Sequence, residues 1–295
     1  MSNLTKQLGE PARLLSMGMP KCGTTTLAAL LDTNPAFSVH NLKEPEDFLG
    51  GDPAKIDLSG YRRGSEVKYL VDMSTQYGMG PNRQTVFNNL KATNALDATW
   101  FVLCLREPEA LAASYFRHIQ VRRGWDPVED KGRIGTELRQ STAFRSAIVE
   151  ILEHVSADRL FVTKLEDLSD AASQETSMTG LSRWLGVAPV FTDEAVKANH
   201  KEGYREYHPA LAGLLGALRG GWLGRQVPPR WRRKVHRLVT RNADREAAEF
   251  VAADWLDSEM LADSRAIYLA AETGVMADNS KLLSMLGLAK DATPQ

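Results

Sequence analysis

Lys21 stands in a short loop between Gly18 and Gly23, and three hydroxyl residues, Thr24, Thr25 and Thr26, follow at once. These types in this order suit an anion. Backbone N–H groups of a Gly/Pro turn and the positive end of a following helix make a concave site, and the glycines let the backbone approach the ligand. Lys21 adds charge and the threonines add donors. Gly18 and Gly23 have the spacing of the nucleotide-triphosphate loop G-x-x-x-x-G-K-[ST], but Thr24 occupies its lysine position and the lysine has moved into the loop. A clamp for a γ-phosphate and Mg²⁺ is therefore poorly matched. The bland alternative is a tight strand–helix turn that happens to contain Lys and Thr.

A second anion-binding set follows the apolar run Trp100–Leu105: Arg106, then Glu107-Pro108, then Ser114. An arginine at the carboxyl end of a parallel strand points into the crevice where open α/β sheets bind ligands. Its guanidinium can clasp a phosphate bidentately, and Ser114, about two turns along the next helix, can donate a hydroxyl to the same group. The competing reading pairs Arg106 with Glu107 or Glu109 on the surface.

These residues need a sheet and helices to position them. Five short apolar segments read as strands: Arg13–Met17, Phe37–His40, Lys68–Asp72, Trp100–Leu105 and Leu160–Thr163. Most are apolar on successive residues, as a sheet covered on both faces requires. Between them lie helical patterns, such as Leu27, Leu30 and Leu31, and Ala112, Tyr115, Phe116 and Ile119. Strand alternating with helix predicts a three-layer α/β fold with a central, mostly parallel five-stranded sheet and a P-loop-like nucleotide site. Residues 12–190 form that core, and 191–295 a helical C-terminal extension of a single domain 1–295, with helices expected over Leu256–Thr273 and Lys281–Leu288.

Pro20-Lys21-Cys22-Gly23-Thr24-Thr25-Thr26-Leu27, Lys43-Glu44-Pro45 with Phe48, and Leu105-Arg106-Glu107-Pro108 with Ser114-Tyr115 together resemble the sulfotransferases that use 3′-phosphoadenosine-5′-phosphosulfate (PAPS). The heparan-sulfate-type and related bacterial branch is the nearest. Phe161–Leu168 and Leu181–Gly186 also resemble that branch, so the likeness covers roughly Leu14–Gly186. It implies that the loop of Lys21, Cys22, Gly23, Thr24, Thr25 and Thr26 grips the 5′-phosphosulfate while Arg106 and Ser114 hold the 3′-phosphate. Glu44 becomes the catalytic base, and a late Lys/Arg-Gly segment is loosely matched by Lys201 and Gly203. The product nucleotide would be adenosine 3′,5′-bisphosphate (PAP), with no metal. The family often carries a lysine after its third strand; Met73-Ser74-Thr75-Gln76-Tyr77 stands there instead.

Sulfuryl transfer needs a cation on the leaving oxygen and a base on the acceptor hydroxyl. Lys21 is the candidate cation. Glu44 follows the strand ending at His40 and so lies at the same sheet edge as the loop; the alternative is a solvated charged run with Lys43, Glu46 and Asp47. His118, four residues after Ser114 on the same helix face, is the rival base, although a lone helix histidine is more often a packing residue. Asp72 ends Tyr69-Leu70-Val71-Asp72, the pattern of a Mg²⁺-binding strand, and supports a metal-dependent kinase as the enzyme alternative. A non-catalytic nucleotide-binding scaffold is the other.

Composition bounds the partners. Lys plus Arg number 36 and Asp plus Glu 37, a formal net charge of −1, against a bulk nucleic-acid binder. The neutral total hides a basic stretch, Arg225–Arg241, for which a docked helix with a solvated basic face competes with a surface for an anionic acceptor or acidic partner. Two cysteines, Cys22 and Cys104, make no disulfide framework, and His40, His118, His154, His200, His208 and His236 form no metal array. With no run of about 20 apolar residues and no secretory signal, the expectation is a cytoplasmic protein without a membrane span, acting on a small-molecule or carbohydrate acceptor. Oligomeric state has no signature.

Overall fold

The computed structural model describes residues 11–50, 58–62, 64–191, 205–207, 240–242 and 250–288. Its strands are β1 (Ala12–Ser16), β2 (Phe37–Val39), β3 (Tyr69–Asp72), β4 (Thr99–Leu105), β5 (Leu160–Lys164), β6 (Arg205–Tyr207), β7 (Thr240–Asn242) and β8 (Gly274–Val275). The main sheet has the order β2-β3-β1-β4-β5-β8, with the first five parallel and β8 antiparallel to β5. β1 and β4 lie at its centre, and their continuous apolar runs follow from that: Leu14, Leu15 and every residue of Phe101–Leu105 are buried.

The sheet thus has six strands, not five, and the C-terminal part is not purely helical. β8 is two residues long, too short to show any periodicity. Tertiary bonds recruit it: the Thr273 hydroxyl accepts from the Lys164 N–H (3.3 Å) and donates to the Asp167 carboxylate (2.5 Å). β6 and β7 form a separate antiparallel pair, which puts Arg241 in a strand rather than on the predicted basic helix; Arg225–Arg237 lie outside the described residues.

Helices α1 (Thr24–Asp32), α2 (Asn82–Ala92), α3 (Pro108–Arg123), α4 (Lys131–Thr142), α5 (Phe144–Leu152) and α6 (Ala171–Trp184) fill the crossovers, and α7 (Ser258–Ala270) and α8 (Ser280–Met285) follow. From β1 the chain moves outward through α1 to β2, and later crosses to β4 on the other side of β1 through α2. Right-handed crossovers then set α1 and α2 on opposite faces. That reversal of direction opens a crevice at the carboxyl ends of β1 and β4.

The C-terminal helices dock on the α3–α5 side. The Arg145 guanidinium of α5 grips the Asp263 carboxylate of α7 (2.7 and 3.0 Å) and the Met285 carbonyl at the end of α8 (2.9 Å). Ser264 donates to the Thr142 carbonyl (2.5 Å), and Phe116 packs on Phe250 and Trp255. One hydrophobic cluster runs from Ala12 to Leu286.

Candidate functional site

The loop after β1 hangs from buried side chains. Met17, Met19 and Cys22 are all fully buried, and the Gly18 N–H donates to the Ser16 hydroxyl (3.2 Å). With the apolar side chains turned inward, backbone and Lys21 form the outer surface. Lys21 has φ 70°, a left-handed conformation that costs a non-glycine residue about 1–3 kcal/mol and persists where surrounding contacts enforce it. Gly23 follows at φ 94°, and a Cβ there would stand 2.7 Å from Leu165 Cδ1. This glycine therefore carries both a left-handed backbone and a close approach to the turn after β5. α1 starts at Gly23 with no side-chain cap and no acidic residue in its first turn, so its positive end is not neutralised by its own sequence. Thr25 is exposed, whereas Thr24 and Thr26 are buried. The Cys22 thiol is pushed well up from its ordinary value by burial and by neighbouring Cys104, so it stays protonated and can serve a ligand only through its backbone.

Arg106 leaves the end of β4 and reaches this loop: its guanidinium donates to the Lys21 carbonyl at 3.2 Å. The expected competitors for it are taken. Arg265 of α7 pairs with Glu109 (2.7 Å) and Glu107 (3.5 Å), and Glu107 also caps α3 by accepting from the Ala110 N–H (2.7 Å). Ser114 is half-buried on the second turn of α3, about 9 Å along the axis from Pro108 at 1.5 Å per residue.

The segment after β2 brings Lys43 and Glu44 to the same edge. Lys43 has φ 60°, with the Glu44 N–H donating to the Leu42 carbonyl (2.7 Å), a three-residue turn of the uncommon left-handed kind. The Lys43 ammonium bonds the Glu44 carboxylate and lies 3.4 Å from the Thr24 hydroxyl at the start of α1. The Thr75 hydroxyl faces the other Glu44 oxygen at 3.5 Å. The β2 loop, the β3 loop and the first turn of α1 therefore meet around Lys43 and Glu44.

Protein donors engage the Asp72 carboxylate. The residue is fully buried, and its carboxylate accepts from the Ser74 N–H (2.9 Å), the Ser74 hydroxyl (2.5 Å) and the Tyr77 hydroxyl (2.5 Å). Ser74 and Tyr77 in turn accept from the Glu46 N–H (3.0 Å) and the Phe48 N–H (3.1 Å). Burial pushes the Asp72 carboxyl up to about 7, with the Ser74 and Tyr77 donors pulling the other way. The group that resembled a Mg²⁺ ligand is the hub that ties the β3 loop to the Lys43–Phe48 segment. Asp-x-Ser-x-x-Tyr, two side chains able to fold back on a carboxylate, was the available signal.

His118 lies about 15 Å along the α3 axis from Pro108, half-buried and stacked on Tyr115 (ring centroids 6.1 Å apart). Lys201 and Gly203 lie outside the described residues. Among the described residues no group of three or more His, Cys, Asp or Glu side chains is placed to hold a metal, and no helix is long and apolar enough to cross a membrane. A surface groove lined by Phe161, Asp167, Thr176, Ser177 and Thr273 shares no residue with the constellation around Lys21.

No family model matches the chain, and no curated protein matches it. Solved structures similar to it include three sulfotransferases. One is a sulfotransferase from Alicyclobacillus acidocaldarius, with a TM-score of 0.44 and 18% identity, covering 71% of this chain and 91% of that one. A second is the sulfotransferase domain of the olefin synthase of Synechococcus PCC 7002, with a TM-score of 0.44 and 16% identity, covering 94% of each chain. The third is the sulfotransferase domain of the curacin biosynthetic pathway, with a TM-score of 0.43 and 14% identity, covering 94% of this chain and 97% of that one.

Proposed function

We propose that this chain is a sulfotransferase that moves a sulfuryl group from PAPS to a hydroxyl of a small-molecule or carbohydrate acceptor, with an amine as the second choice. The observation that carries this reading is the bond from Arg106 to the Lys21 carbonyl. It joins two anion-binding features, an uncapped helix start behind a lysine-bearing loop and a strand-end arginine, at one sheet edge. A nucleotide with phosphates at both ends of its ribose is the ligand class that needs both.

The residues fit such a donor. The backbone of Lys21–Gly23 and the N–H groups of Thr24, Thr25 and Thr26 suit the 5′ end, and Arg106 and Ser114 suit the 3′-phosphate. When bound, the donor supplies a sulfuryl group on a phosphate leaving group. Lys21 offsets the negative charge that grows on the leaving oxygen, and the loop N–H groups are preorganised donors that do not have to reorient. Glu44 accepts the proton of the acceptor hydroxyl. Lys43 orients that carboxylate through the ion pair, and Thr75 braces its other oxygen. The position of Glu44 beside the α1 start favours it over His118, which stacks on Tyr115 farther along α3.

The kinase alternative loses its best feature, because the Asp72 carboxylate is occupied by three protein donors. Transfer of radiolabelled sulfate from PAPS to a panel of phenolic, alcoholic and sugar acceptors tests the proposal. A chain that binds PAP yet transfers to none of them would support the scaffold reading instead.

A further inference from the structure

We infer that His40 is a positioning residue for the proposed reaction: its Nδ1 fixes the left-handed turn that presents Lys43 and Glu44 to the phosphate loop. This rests on the reading of Glu44 as the base. His40 is the residue after β2, its own N–H donating to the Val71 carbonyl (3.0 Å) in continuation of the sheet, and its ring is buried. Nδ1 accepts from the Leu42 N–H at 3.1 Å, while the His40 carbonyl accepts from the Lys43 N–H at 2.7 Å. Side chain and backbone of one residue thus capture two successive amides, and Lys43 is then forced into positive φ.

The ring is itself held. It sits edge-on to Tyr61 with centroids 4.7 Å apart. Gly60 lies against it so closely that a Cβ there would be 1.8 Å from Nε2, and the Gly60 carbonyl accepts from the Asn41 N–H (2.9 Å). From the far side, the Met73 N–H donates to the Lys43 carbonyl (3.1 Å). The bond from Leu42 requires an Nδ1 without a proton, so the working form is the neutral ring protonated at Nε2. The turn reaches the nucleotide side through the Lys43 ammonium, 3.4 Å from the Thr24 hydroxyl, while the loop after β1 keeps its own anchors in buried Met17, Met19 and Cys22, so disturbing His40 acts first on the acceptor side of the site.

Two substitutions separate the acceptor atom from the ring. His40→Phe keeps an aromatic ring against Tyr61 and removes the acceptor. His40→Asn removes the ring but supplies a carbonyl that accepts the N–H two residues on, as asparagine does in Asx turns. The expected results are a fall in kcat of about 10²-fold for His40→Phe with PAP affinity within about threefold of the parent, and recovery to within about fivefold of the parent kcat in His40→Asn. Amide hydrogen exchange at Leu42 supplies a readout independent of catalysis, faster in His40→Phe and restored in His40→Asn. An unchanged Leu42 amide in His40→Phe, or equal losses of kcat in both variants, would overturn the positioning role. If the Leu42 amide responds as expected while Glu44→Gln turns over normally, the turn is held by His40 but the assignment of Glu44 fails instead.

Discussion

Arg106 Nη1 lies 3.2 Å from the Lys21 carbonyl oxygen, so the strand-end arginine braces the backbone of the very residue whose left-handed φ shapes the loop after β1. One side chain thereby ties the end of β4 to the loop after β1. Replacing it should affect both binding and turnover. Arg106→Ala is expected to weaken PAP binding about 10–100-fold, the loss of one or two charge-assisted bonds, and to lower kcat as well. Titration calorimetry and steady-state rates check this; a variant with unchanged PAP affinity would remove Arg106 from the site.

Lys21→Ala should leave the fold intact, because the loop is anchored by buried Met17, Met19 and Cys22 rather than by the lysine. The expected loss is about 10²–10³-fold in kcat, the scale of one preorganised charge-stabilising donor. Circular dichroism and thermal melting confirm the fold, and a sulfate-transfer assay reads the rate. Full activity would sink the loop assignment.

Glu44→Gln and His118→Asn, each assayed at saturating donor, rank the two candidate bases. The amide cannot accept the acceptor proton, and a loss of about 10²–10⁴-fold is expected for Glu44→Gln against less than about threefold for His118→Asn. The reverse order would move the base to α3.

Asp72 gives a pH signature in stability. Its carboxyl is raised from the ordinary value of 3.8 to about 7 by burial, so between those values the folded chain holds a proton that the unfolded chain has released. Stability from this group is therefore present at low pH and declines as pH rises towards 7, levelling off above it. Thermal melts of the parent and of Asp72→Asn from about pH 5 to about pH 8 should show the parent's advantage shrinking with pH. An advantage that grows with pH would mean the carboxylate is stabilised in its charged form. Asp72→Ala, which strands the Ser74 and Tyr77 donors, should destabilise by about 2–4 kcal/mol.

The strands were legible because β1, β3, β4 and β5 are buried on both faces and read as continuous apolar runs. The tight turn between β1 and α1 was legible because its glycines, lysine and threonines sit at short range. What escaped depends on contacts distant in sequence. β8 is held by Thr273 against Lys164 and Asp167, Arg265 reaches Glu107 and Glu109 from α7, and Leu165 presses on Gly23 from the turn after β5. The bonding of Asp72 was hidden for the same reason. An apolar strand ending in Asp looks alike whether the carboxylate meets a metal or, as here, the hydroxyls of Ser74 and Tyr77.

Calorimetric titration of the full chain with PAP, in metal-free buffer and in parallel with ATP plus Mg²⁺, tests the central claim most directly. The account expects PAP to bind without metal, to lose affinity in Arg106→Ala, and to bind more tightly than ATP plus Mg²⁺. No binding of PAP, or tight Mg²⁺-dependent binding of ATP in its place, would contradict it.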